Sequence, residues 1–151
     1  MKRNSFFHAL LLLLIGATLA FIWSRSLKSI PASRAESEAV GAFLKPFLEL
    51  FVGKGNVTDH LVRKLAHFCE YGLLGVEVTA WFVLRDGRGR RTLFIAALGF
   101  FTGFIDETIQ FFSGRGNQFS DVMLDLSGFV CGMFGLRLLL WLFGRREKHG
   151  E

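Results

Sequence analysis

The stretch FFTGFIDETIQFFSGRGNQFSDVMLD, residues 100–125, sets Asp106, Glu107, Asp121 and Asp125 between two apolar runs: RTLFIAALG (91–99) before it and LSGFVCGMFGLRLLLWLFG (126–144) after. A bilayer core of about 30 Å asks for roughly 20 mostly apolar residues per crossing helix, and these runs, taken with their neighbours, supply them. A charged group at the bilayer centre costs at least about 2.5–3.5 kcal/mol on insertion scales. Four carboxylates bordering two such runs therefore need either partners or a task.

The remainder of the chain supports a membrane reading. Its 151 residues suit one domain, 1–151, and a hydrophobic content of 51% with a mean hydropathy of +0.39 is too apolar for an ordinary soluble one. Four windows reach spanning length, at about 6–23, 65–84, 93–112 and 122–143, and no internal repeat appears. The first opens on MKRN, but its apolar run continues through FIW, which favours an uncleaved anchor over a signal peptide. The net charge of +5 falls in short clusters between the windows and lacks the aromatic interleaving of a nucleic-acid surface, so no nucleic-acid partner is expected. Cys69 and Cys131 lie inside apolar segments without metal spacing and read as small buried hydrophobes.

Basic residues set the expected orientation. Lys2 and Arg3, the RDGRGRR loop (85–91) and the GRREKHG tail (144–150) belong on the cytoplasmic side. The expected architecture is thus an all-α membrane protein, a four-transmembrane-helix bundle with both termini cytoplasmic and a long outer loop at about 24–64. Within that loop Val40, Phe43, Leu44, Phe47, Leu48 and Phe51 recur at helical spacing. They predict an amphipathic interfacial helix, begun or kinked by Pro46, with a short helix capping the bundle as the alternative.

At about 100° per residue, the second window carries Lys64, His67, Glu70, Tyr71 and Glu77 within roughly 140° of one another. The third puts Gly99, Gly103, Asp106, Glu107 and Gln110 on one face, and the fourth does the same for Asp121, Asp125, Gly128, Gly132 and Gly135. Acids sharing a stripe with small-xxx-small patterns should face the bundle interior. The alternating topology gathers them at the outer end, where Arg115 and Asn117 of the joining loop also lie. Taken singly, each residue has a plainer reading. Asp121 or Ser120 serves as an N-cap, His67 as a hydrogen-bonding residue, the glycines as packing, and Lys64 and Arg115 as counter-ions. Convergence from three spans favours a shared polar pocket.

These residues resemble the VanZ-like family of bacterial membrane proteins. The resemblance rests on RKLAHFCEYGLLG (63–75), DETIQFFSGRGNQFSDVMLDLSG (106–128) and the long first outer loop, and covers most of the chain. It carries over Lys64, His67, Glu70, Tyr71, Asp106, Glu107, Gln110, Arg115, Asp121 and Asp125 as pocket residues. It implies the bacterial cytoplasmic membrane and a link to low-level resistance to teicoplanin-type glycopeptides, and so names a group without naming a reaction. RGNQF (115–119) stands where a shorter Ser-rich stretch is expected, and neither Glu77 nor RDGRGRR belongs to the pattern.

Three functions fit the pocket. In the first it binds a membrane lipid, a lipid-linked cell-wall precursor or a lipoglycopeptide, with Arg63, Lys64 and Arg115 meeting phosphate or carboxylate. In the second it is an enzyme on a lipid-linked substrate, with His67 as general base and Asp106, Asp121 and Asp125 around a divalent cation. In the third it is an ion-coupled transporter or flippase that relays through Glu77, and four spans would then call for a homo-oligomer.

Overall fold

In the computed structural model the described residues are 2–28, 30–86, 91–114 and 118–146. They form five helices, α1 (Lys2–Ser26), α2 (Ile30–Val52), α3 (Asp59–Asp86), α4 (Thr92–Phe112) and α5 (Phe119–Arg146), and no strand occurs among them. Among the described residues three helical segments are long and apolar enough to cross a membrane: Ser5–Ser26, Thr92–Phe112 and Phe119–Phe143. The second expected span, inside α3, is not among these, because His67, Glu70 and Glu77 dilute its apolar run.

Contacts between the helices define their directions. His8 of α1 meets Trp81 of α3, while Arg25 of α1 reaches Glu70, so α1 and α3 run antiparallel. Phe82 packs on Phe94, and the Tyr71 hydroxyl donates to the Thr102 carbonyl at 3.2 Å, so α3 and α4 are antiparallel as well. α3 and α5 run parallel in backbone contact. A side chain on Gly128 would collide with the Phe68 carbonyl, and one on Gly132 with the Gly72 carbonyl, one turn further along both helices. Gly75 lies equally tight against the Phe129 backbone. Small residues let membrane helices approach this closely. Around the seam Ile22, Tyr71, Leu74, Ile95, Phe129 and Met133 form the apolar core.

Helix boundaries follow local chemistry and revise the expected ones. α3 begins at Asp59 rather than near 65. Thr58 caps it, its hydroxyl accepting from the Leu61 N–H at 3.2 Å, and Asp59 complements the dipole in the first turn. α2 starts at Ile30 and runs through Pro46, which therefore neither begins nor ends it. Its proline-compatible start is Pro31, where a missing N–H costs nothing. Gly53, at φ 88°, closes α2, and Gly114, at φ 75°, closes α4. The middle of α2 sits on the first turn of α3, Gly41 against Val62. Phe43, Phe47, Leu50 and Phe51 of α2 point away from the bundle, Phe43 being 85% exposed. Cys69 and Cys131 are exposed, contrary to expectation, because they lie off the inward faces of α3 and α5.

Candidate functional site

At the end of the bundle where α3 and α5 begin and α4 finishes, the three helices enclose a cavity of about 240 Å³. His60, Arg63, Lys64 and His67, at positions i, i+3, i+4 and i+7 of α3, form its basic wall. Glu107 and Gln110 of α4, Gln118, and Asp121, Leu124 and Asp125 of α5 complete it.

The glycine seam brings α3 and α5 close enough for short polar side chains to meet. The Lys64 Nζ lies 2.9 Å from Asp121 Oδ1. Asp121 is thus a first-turn acid of α5 joined to a lysine and not the N-cap, since Phe119 already opens the helix. One turn deeper, His67 Nδ1 stands 3.8 Å from Asp106 Oδ2 and 3.7 Å from Asp125 Oδ1. Both aspartates are buried, at 0% and 1% exposure. Gln110 donates from Nε2 to Asp106 Oδ2 and to Glu107 Oε1, each at 2.9 Å. The second Glu107 oxygen accepts the Gln118 N–H at 3.3 Å. A side chain on Gly103 would press on the Asp125 Cβ at 3.2 Å, so that glycine makes room for the carboxylate. His67, Asp106 and Asp125 each offer one metal-ligating atom, and those atoms lie within 4.8 Å of one another.

The candidate residues therefore divide. Lys64, His67, Glu107, Gln110, Asp121 and Asp125 line the cavity, and Asp106 stands beside His67. Glu70 turns instead toward α1, where Arg25 holds it at 2.9 Å. Glu77 does the same, accepting from Thr18 at 3.0 Å. Tyr71 is wholly buried in the core against α4. Arg115 and Asn117 lie outside the described residues. On α5, Gly135 packs on nothing and stands apart from the stripe expected for it.

Sequence reasoning missed His60, Gln118 and Leu124. His60 carried a signal, since it lies one turn before Lys64 on the same stripe. The partners Thr18 and Arg25 carried none, because nothing in a single sequence says which helix a polar residue on another will meet.

The family model described as VanZ/LLP1 matches residues 6–142. No curated protein and no solved structure matches the chain significantly.

Proposed function

The chain belongs to the VanZ family, and from that membership together with the cavity we propose an envelope protein of the bacterial cytoplasmic membrane that binds the anionic headgroup of an amphiphile. It is a four-span bundle of α1, α3, α4 and α5 with both termini inside, and the cavity opens at the outer leaflet. Its occupant is a phosphate-bearing, lipid-linked cell-wall precursor, or the lipoglycopeptide that competes for the same leaflet.

The observation that carries this reading is the basic wall of His60, Arg63 and Lys64 on a cavity rimmed by apolar helices. The Arg63 Nε is buried with no hydrogen-bond partner among the described residues, and a guanidinium clasps phosphate bidentately. Lys64 has three donors, so an anion can share it with Asp121. The apolar stripe of α2, through Phe43, Phe47 and Phe51, is exposed at the same end. That suits a helix lying in the interface, beside the point where a lipid headgroup would enter. Glu77 is engaged with Thr18 and lies off the cavity, which leaves the transport reading without a connected path.

Native mass spectrometry of the full chain tests this, comparing a polyprenyl phosphate with the matching polyprenol. The phosphate should bind and the alcohol should not. Arg63→Gln and Lys64→Gln should each weaken binding about tenfold or more, the worth of one charge-assisted hydrogen bond. Equal uptake of phosphate and alcohol would rule out headgroup recognition.

A further inference from the structure

We propose that His67, Asp106 and Asp125 form a binding site for a first-row divalent cation, Zn²⁺ or Mn²⁺, held between α3, α4 and α5 with one coordination side open to the cavity. The separations of 3.7 and 3.8 Å from His67 Nδ1 to the two carboxylates are too long for direct hydrogen bonds. They match the spacing of ligands around a shared ion. An ion about 2.1 Å from His67 Nδ1 and from one of the two carboxylate oxygens would see that pair at roughly 120–130°. Side-chain rotations that draw the three groups together would narrow this toward the tetrahedral angle. One imidazole nitrogen with two carboxylate oxygens suits zinc and manganese over the softer, thiolate-seeking metals.

Two further features point the same way. Asp125 is 1% exposed, and its Oδ2 has no hydrogen-bond partner among the described residues although the residue lines the cavity. A buried carboxylate oxygen left in this state is costly unless something positive meets it. Gln110, meanwhile, holds Asp106 and Glu107 together, the outer-shell bracing that orients a ligating carboxylate. Of the basic side chains nearby, Lys64 is paired with Asp121 and Arg25 with Glu70, while Arg63 lines the same cavity. The triad comes from three helices, so a bound ion would also pin the helix ends around the cavity.

The site stands apart from the headgroup reading, because metal uptake is measured without lipid. The full chain, freed of any affinity tag and stripped with EDTA in detergent, is titrated with Zn²⁺ against a chromophoric chelator. Manganese is followed by its electron paramagnetic resonance. About one ion per chain is expected, with a melting temperature that rises on binding and falls back with EDTA. His67→Gln and Asp125→Asn should each lower affinity more than tenfold, and Gln110→Ala by about 10–100-fold as an outer-shell loss. His8→Gln, an imidazole at the other end of the bundle, should change nothing. Wild-type protein that takes up no stoichiometric ion overturns the proposal, whatever the variants do. So does one-to-one uptake that survives both His67→Gln and Asp125→Asn.

Discussion

Replacing Gly132 by alanine adds one carbon at the point where α3 and α5 touch. That carbon would lie inside the contact distance of the Gly72 carbonyl oxygen, a backbone atom that cannot rotate away. The helices must then part by roughly an ångström to restore ordinary van der Waals separation. Overpacking of this kind costs about 1–3 kcal/mol. Alanine also favours a helix over glycine by about 1 kcal/mol, which would mask part of the loss. Gly135, one turn on in α5, supplies the control, since a carbon added there meets nothing within 4 Å. Gly135→Ala should therefore gain the propensity term alone. The difference between the two variants isolates the clash at about 1–3 kcal/mol in disfavour of Gly132→Ala. Unfolding in mixed micelles with increasing SDS, followed by tryptophan fluorescence, measures both. Equal unfolding free energies would refute the reasoning, because the α3–α5 seam would then have slack that the geometry denies.

Two further expectations concern the rim. Arg25→Gln should destabilise the chain by about 1–2 kcal/mol, less than a fully buried pair because the side chains of Arg25 and Glu70 are 26% and 14% exposed. Adding Glu70→Gln should recover part of that loss in a double-mutant cycle, whereas strictly additive losses would show that the contact does not couple α1 to α3. In a Cys69→Ser/Cys131→Ser background, a cysteine at Phe47 should be shielded from a water-soluble maleimide in vesicles while one at Lys45 reacts. Equal labelling would sink the interfacial placement of α2.

How much of this was legible depended on whether a residue's surroundings left it a choice. On α4 the buried set is Ile95, Gly99, Gly103, Asp106, Glu107 and Gln110, and periodicity groups five of these because acids in an apolar helix have nowhere to go but inward. On α3 the polar arc is wide enough to face two neighbours at once. Helix angle alone could not send Glu70 and Glu77 to α1, Tyr71 to α4 and His67 to the cavity. Nor did the sequence reveal how far α2 extends. Its first half is small and polar, without the apolar period that marked Val40 onward, and it is helical because Ala and Glu favour helix. The glycines of α3 were passed over for a related reason. Gly72 and Gly75 are three apart and match no four-residue spacing, yet both contact α5 because the helices lie nearly flush.

The polar character that disqualifies α3 as an apolar span is also what ties the bundle together. Thr18 meets Glu77, Arg25 meets Glu70, Thr102 meets Tyr71, and Asp106 and Asp125 flank His67, so four polar side chains of α3 face groups on α1, α4 and α5. A helix of this kind could not stand alone in hydrocarbon, where an unanswered polar group costs several kcal/mol. In the proposed four-span bundle α1, α4 and α5 surround it, and the cost of its polar residues becomes specificity for one arrangement of neighbours. Where the backbones of α3 and α5 come closest, along Gly72, Gly75, Gly128 and Gly132, the short Asp125 of α5 approaches the imidazole on α3 to 3.7 Å. A longer acid would not need so tight a seam, and a looser seam would leave Asp125 stranded. The glycine contacts and the buried Asp125 are in this sense one feature, and a substitution that opens the first should be felt in the second.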